Sequence, residues 1–391
     1  KSRSRLGVSD PSPHYVIAVS LSSPGAVFCV IPWFRALFGM ALITKNFSFM
    51  SKSRQQILSI VHSLRDTQKK LCSRVVEVPI PSTGTLQLTK FPSNLHLKPV
   101  SPFEAQQNKI SVSVDKGINK WEHADEIYIA HEEGVVTLKL PESYIDSRDT
   151  AFKVHIPLKY DINISMEHHA SVTLEKLESE SISVETAGGT ICLKGTKASS
   201  NNLISKYGNI LLSGAVYGNC YLATSETGNI RASKIQGEKA HFECSEDVEI
   251  EDLYCGSFTS TFIRNLRVKN FHGFAELVGH SIEIKSVLGS FNITASNVKV
   301  GIDRLLADSH IASEGDVKLD LSNQINMKLF LCAPLIDIDC DIDIIDHDKP
   351  EDGKEIITCG NSAAPDYSVH ITSSTQIVIR KTNWFQNLNL I

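Results

Sequence analysis

From Val172 onward an apolar residue follows a small or polar corner again and again: Val172, Ile191, Ile210, Ile230, Val248, Leu266, Ile282, Val298 and Val317, at spacings of 19, 19, 20, 18, 18, 16, 16 and 19. Each anchor opens a small-polar, apolar, polar, apolar unit, as in Asp247-Val248-Glu249-Ile250 and Asn297-Val298-Lys299-Val300. Period two with β-branched residues predicts short strands with one buried face. About half a repeat later a second alternating run appears, for example Asn202-Leu203-Ile204, Cys220-Tyr221-Leu222 and Ser290-Phe291-Asn292-Ile293.

Two short strands per 16 to 20 residues, joined by Gly, Asn, Asp and Ser corners, predict an all-β fold: a β-solenoid (β-helix-like) of stacked coils. At about 4.8 Å per coil, nine anchors make a rod of roughly 40 Å. A leucine-rich repeat is excluded because L-x-x-L-x-L-x-x-N is absent, and helical repeats because no window here has a 3.6 period. The corners Gly208-Asn209, Gly228-Asn229 and Gly315-Asp316 are therefore architecture. Each glycine is expected to take positive φ, and the next residue a left-handed conformation or a bond to its own backbone.

Residues 77–165 also read as strands, over Thr85–Thr89, Leu95–Val100, Lys109–Val114, Glu126–His131, Val135–Leu140 and Phe152–Ile156. Their spacing is less regular and prolines interrupt it, which predicts early coils or a small β cap shielding the first strand edges. The expected organisation is a leader at 1–76, an irregular β region at 77–165 and the repeat at 166–391. Thr375–Lys381 and Trp384-Phe385 are expected to lie across the last coil.

Charge divides the chain. Residues 1–76 hold 11 Lys and Arg against 2 Asp and Glu, near +9, and the rest 28 against 42, near −14. So acidic a body lacks the basic face that binds nucleic-acid phosphates, so no nucleic-acid partner is expected. Met40, a candidate start, opens a window to Arg65 without an acidic residue. It carries Lys45, Lys52, Arg54, Arg65, five serines and Ile57, Ile60, Val61 and Leu64 on one helical face, the composition of a mitochondrial transit peptide. A docked amphipathic helix is the alternative. Tyr15–Phe34 is twenty residues without a charge, the length of a membrane span or secretory signal, though Pro24 and Pro32 weaken it. In that case the sequons at Asn163 and Asn292 would matter. No other segment resembles a span, so stable membrane insertion of the mature body is not expected.

The nine cysteines are odd in number, scattered and never in C-x-x-C, which reads as free thiols in a reducing compartment. Neither G-x-G-x-x-G, G-x-x-x-x-G-K-[ST] nor G-x-S-x-G occurs; Gly189–Lys197 (GTICLKGTK) has the wrong spacing. His168-His169 lacks the i, i+4 spacing of a zinc helix. Accordingly no catalytic residue and no cofactor is expected. One stretch invites calcium: Asp337, Asp339, Asp341 and Asp343 would lie on one strand face about 6.7 Å apart. Lysines of adjacent coils, Lys299, Lys318 and Lys328, could instead neutralise them, leaving a solvated edge or partner surface. For a carbohydrate-active enzyme the residues to stack would be Glu249, Glu251, Arg264, Arg267, Lys269 and Glu283, with two carboxylates about 5 to 9 Å apart in a cleft.

The run Val154-His155-Ile156-Pro157, Ala170-Ser171-Val172 and Val184-Glu185-Thr186-Ala187-Gly188-Gly189, followed by the Gly-Asn-Ile corners, resembles a family of adhesin-type β-solenoid domains of unknown function. The resemblance spans about residues 150–320 and implies fold; it brings over no catalytic residue. Where that family reads T-x-x-G-D-I this chain has Tyr207-Gly208-Asn209-Ile210, and Glu246-Asp247-Val248 lacks the glycine. The leading expectation is a non-catalytic scaffold binding an unknown protein partner inside mitochondria. The alternatives are a secreted or surface module recognising glycans or proteins, and a carbohydrate-active enzyme.

Overall fold

The computed structural model describes residues 75–101, 103, 107–116, 127–140, 150–166, 169–322, 327–339, 341–350, 353–360 and 367–382. Residues 1–74 of the leader, His168, Cys340 and Trp384-Phe385 lie outside them. All regular structure among the described residues is β, and none of it is a helix long and apolar enough to cross a membrane.

The period near twenty becomes a stack of parallel strands. Val172 pairs with Ile191, Ile191 with Ile210, Ile210 with Ile230 and Ile230 with Val248; further along Val298 pairs with Val317. The side chains of these anchors point inward and are essentially fully buried, because alternation places every second residue on the same face. From Asp247 to Leu305 the chain winds through successive coils as one unbroken strand of 59 residues.

Each coil has three pairing segments where the pattern predicted two. In the ladder between Ile210–Thr224 and Ile230–Cys244 the register shifts twice, separating 210–212, 215–217 and 220–224. The middle segment contributes one inward residue per coil: Leu177, Thr196, Val216, Ile235, Leu253, Phe271 and Val287, all buried. One inward residue per coil, polar at Thr196, leaves no alternating run, which is why sequence periodicity passed over it.

Both ends depart from simple winding. Thr83–Phe91 lies between Val135–Lys139 and Lys159–Met166, pairing parallel with each. Likewise Asn94–Pro99 lies between Ala151–Ile156 and Val172–Glu175. The first coil is thus intercalated between two layers that are consecutive in sequence. Because Lys159–Met166 also pairs with Glu178–Thr186, the ladder crosses the expected 165/166 boundary without a break. At the other end Tyr367–Ser373 sits between Ser309–Ser313 and Met327–Ala333, and Gln376–Thr382 between Val317–Ser322 and Leu335–Ile338. Thr375–Lys381 therefore does not lie across the last coil; it belongs to an inner layer.

Antiparallel strands cover the outermost layers. Tyr128–Glu132 covers Val135–Lys139, and Lys109–Lys116 covers Ala151–Ile156 with Val76–Pro79 beyond it. At the far end Glu355–Gly360 covers Met327–Ala333, followed by Ile344–Asp348.

The described cysteines Cys192, Cys220, Cys244, Cys255, Cys332 and Cys359 are free, and four of them are core residues. Burial pushes the Cys220, Cys255 and Cys359 thiols up to about 12. In the unfolded chain thiols ionise from about pH 8.5. Because the folded-state values are raised, the stabilisation these neutral thiols contribute is full below that pH and is lost as pH rises toward about 12. We expect a thiol reagent at pH 8 to modify half-buried Cys192 and Cys332 first and to spare the four buried ones, Cys220, Cys244, Cys255 and Cys359, until denaturant is added; mass mapping of the adducts checks this.

Candidate functional site

Three features face solvent along the stack. The first is the row of outward residues next to the anchors: Arg231, Glu249, Arg267, Glu283 and Lys299, one per coil. Alternating sign at the coil spacing makes an ion-pair ladder, Arg231 to Glu249 at 3.2 Å, Arg267 to Glu249 at 3.7 Å and to Glu283 at 3.8 Å, and Lys299 to Glu283 at 3.0 Å. Beside it Ser213, Ser233, Glu251, Lys269 and Lys285 form a second row, and this row and the first as far as Glu283 line a shallow groove of about 410 Å³.

The structure thus brings Glu249, Glu251, Arg267, Lys269 and Glu283 to one face, as an enzyme reading required, but in a different relation. Glu249 and Glu283 are separated by Arg267, which pairs with both, so these two carboxylates do not face each other across open space. Arg264 turns to the neighbouring corner, pairing with Glu246 and with Asp247 at 3.6 Å. Because these charges are exposed, each pair stabilises little. Arg267→Ala should lower stability by less than about 1 kcal/mol, with a difference that shrinks as salt is added to a chemical-denaturation series.

The second feature is a column on the adjacent segment. Glu178 pairs with Lys197, Lys197 with Tyr217, Tyr217 with Gln236 and Gln236 with Tyr254. Tyr217 and Tyr254 are exposed and two coils apart, about 9.6 Å by strand spacing. A second groove of about 700 Å³ runs from Tyr217 past Lys197, Glu178 and Asp161 to Thr83 and Thr85. Sequence reading missed this column, since isolated tyrosines in a repeat carry no signal until the register aligns them.

The third is a chance resemblance to hydrolytic machinery. The Ser368 hydroxyl donates to Asp308 Oδ1 at 2.9 Å and lies 3.3 Å from His370 Nε2. In a hydrolytic triad the acid holds the imidazole and the imidazole takes the serine proton. Here the acid takes the serine hydroxyl instead, and the backbone N–H and hydroxyl of Ser368 hold the Asp308 carboxyl below the usual range. His370 is sandwiched between His310 and Phe330, at 5.1 and 4.5 Å between ring centres. The group is a cross-strand stack created by the intercalated coil.

The corner residues form a ladder between coils. Asn209 Oδ1 accepts the Asn229 backbone N–H at 2.8 Å, and Asn229 Oδ1 accepts that of Asp247 at 3.2 Å. Asp316 Oδ1 accepts the Thr375 hydroxyl at 2.8 Å. These side chains thus bond the neighbouring coil where a bond to their own backbone was expected. Of the three glycines only Gly228 has positive φ, at 131°. Gly208 and Gly315 are required for clearance, because a Cβ would stand 2.1 Å from the Gly189 carbonyl oxygen and 2.4 Å from that of Ser296. Asn229→Ala leaves the Asp247 N–H without its acceptor and should cost about 1 kcal/mol; faster hydrogen exchange at Asp247 checks it.

The aspartate row is not one strand face. The strand ends at Ile338, the Ile342 N–H turns back to the Asp339 carbonyl at 3.1 Å, and Asp343 O accepts the Gly360 N–H at 2.8 Å. Asp337 pairs with Arg380, whose guanidinium holds that carboxyl below its ordinary value. Asp339 accepts the Lys381 N–H at 3.3 Å, and Asp341 O lies 3.4 Å from Lys381 Nζ. The expected lysines are elsewhere: Lys299 pairs with Glu283, Lys318 lies in register with Lys299, and Lys328 sits over the Phe330 ring. No three His, Cys, Asp or Glu side chains among the described residues are grouped as metal ligands.

A family model, Toastrack DUF4097, matches residues 78–375, three quarters of the chain. The chain belongs to this family. Its Toastrack region takes in the intercalated coil at 83–99 and, of the second one, the strand Tyr367–Ser373. Among solved structures, the Toastrack chain is similar to a putative adhesin from Parabacteroides merdae, at 10% identity over 63% of this chain and 95% of that one, with a TM-score of 0.37. It is similar to another from Parabacteroides distasonis at 8% identity, 78% and 96% coverage and 0.38. A putative lipid binding protein from the same species matches at 13% identity, 78% and 96% coverage and 0.28.

Proposed function

We propose that this Toastrack protein is a non-catalytic, adhesin-type recognition module that binds glycan or protein along its exposed strand faces. The observation that carries this reading is the ion-pair ladder: the groove's carboxylates Glu249 and Glu283 are each engaged by a base of the next coil. Groups so paired stand on an open face and are matched for complementarity with a ligand; proton transfer needs a poised, water-excluded acid and base. Exposed Tyr217 and Tyr254 add flat, amphipathic contact area on the adjacent face. A secreted or cell-surface location accords with this role, and both sequons, Asn163 and Asn292, are exposed on outward strand positions.

A mitochondrial scaffold is the second reading, favoured by the six free cysteines, which suit a reducing compartment. Its targeting window, Met40 to Arg65, lies outside the described residues.

The test is a binding screen of the full chain against immobilised glycans and cell-surface extracts, repeated with Arg267→Glu and Tyr217→Ala. Loss of a bound ligand with unchanged thermal unfolding supports the module. Release of shortened sugars from a bound polysaccharide overturns it. Sequencing the mature N-terminus and mapping glycans at Asn163 and Asn292 in fractionated cells decides between the two locations.

A further inference from the structure

We propose that the outer edge of Leu335–Ile338 receives an extended, basic segment of a partner protein as an added β-strand. This site is independent of the ladder face and goes beyond the recognition proposed above.

The two ends of the stack are closed differently. At the N-terminal end both outermost segments, Val135–Lys139 and Ala151–Ile156, carry a covering antiparallel strand. At the C-terminal end Met327–Ala333 is covered, but Leu335–Ile338 pairs only with Gln376–Thr382 on its inner side among the described residues. Asp339 donates its N–H inward to the Ile379 carbonyl at 3.1 Å. Alternation then turns the N–H and C=O groups of Ile336 and Ile338 to the outer side, where they form an edge that templates strand addition.

Side chains mark the same place. Ile336 and Ile338 occupy positions that are closed elsewhere in the stack, yet are only half-buried, and Leu335 is 54% exposed. Ile344 and Ile356 of the adjacent hairpin are exposed too. A bare apolar edge of this kind is a liability that proteins cover or charge.

Charge selects the occupant. Six aspartates and no Lys or Arg fall between Asp337 and Asp348. On the inner side the matching strand supplies Arg380 to Asp337 and the Lys381 N–H to Asp339. A strand added on the outer side with alternating basic and apolar residues would repeat this arrangement, setting apolar groups against Ile336 and Ile338 and cations beside the aspartates. A second copy of this chain would bring its own aspartates to the same edge, so like charge disfavours self-pairing.

The experiment titrates the full chain into a fluorescent peptide of alternating Lys and Val, with an alternating Glu and Val peptide as control. The expected result is binding of the basic peptide alone, weakened by salt, with slowed hydrogen exchange at Ile336 and Ile338. Ile338→Pro removes an outward N–H while sparing the inward ladder, and should lower affinity at least tenfold. Asp337→Asn leaves the backbone edge intact and should weaken binding several-fold, which keeps the test decisive if the proline variant misfolds. Equal binding by Asp337→Asn overturns the proposal. So does protection at another surface, self-association that competes with the peptide, or a gain in affinity on deleting 383–391, which would assign the edge to the chain's own end.

Discussion

Ending the chain at Gly360 should abolish the cooperative unfolding of the C-terminal third, although the deleted residues come last in sequence. They supply Tyr367–Ser373 and Gln376–Thr382, a layer with strands on both sides. Val369, Ile371, Ile377 and Ile379 of that layer are essentially fully buried. Their apolar burial alone amounts to roughly 6 to 12 kcal/mol. Removal also strips the partner strands from Ser309–Ser313, Val317–Ser322, Met327–Ala333 and Leu335–Ile338 at once. Because each coil is stabilised by its neighbours, the loss spreads along the stack. Deleting the hairpin residues 344–360 while keeping 367–382 should be milder, since that hairpin covers one outer segment only. Hydrogen exchange over residues 309–338 in the two truncations decides the matter. Equal protection in both would mean that intercalation contributes no more than the cover.

Gly218→Ala should cost about 2–5 kcal/mol, from backbone strain and forced separation of two coils. Gly218 has φ of 107°, and a Cβ there would stand 1.6 Å from the Ala198 carbonyl oxygen. A carbonyl held in a strand ladder cannot swing aside as a side chain would. Gly214→Ala is the matched comparison. Its φ is 70°, but the nearest atom to a Cβ is 3.8 Å away, so only the left-handed conformation resists, at about 1 kcal/mol. Denaturant midpoints and amide exchange of both variants check the difference. If the two prove alike, coil spacing at this corner is looser than the contact implies.

Much of the fold was legible in residue pattern. The anchors Val172 to Ile230 pair one with the next in the order their spacing implied, because a strand's alternation and a constant coil length are both local properties. Several early strands, such as Val135–Lys139 and Ala151–Ile156, fall within a residue of their expected bounds. The ladder face was partly legible, since Glu249, Arg267 and Glu283 hold the same position after successive anchors. Arg231 and Lys299 hold it too, and needed only the same alignment. The tyrosine column and the Asp308, Ser368 and His370 group were not legible. Tyr217 and Tyr254 lack a repeating neighbour, and Ser368 meets Asp308 from sixty residues away.

The aspartate stretch shows how local reading fails. Alternation from Asp337 to Asp343 implied one straight strand, but the chain turns after Ile338, and the Arg380 guanidinium and the Lys381 backbone N–H of a later strand meet the carboxylates of Asp337 and Asp339. Whether an acidic row gathers a cation or a basic neighbour depends on which strand lies beside it, and a strand can come from anywhere in the chain.

What the sequence determined by itself was the unit: a coil of 16 to 20 residues with one inward anchor, glycine or asparagine corners and an acidic body. Those follow from side-chain period, steric clearance and net charge, which act over a few residues or over the whole composition. Only the tertiary structure decided the order of the layers. The intercalation of Thr83–Pro99 and Tyr367–Thr382, the three-segment coil and an edge at Leu335–Ile338 that no other described strand covers arise from pairings between distant strands. Parallel strands of similar pattern can stack in many orders, and burying each apolar face on both sides selects one.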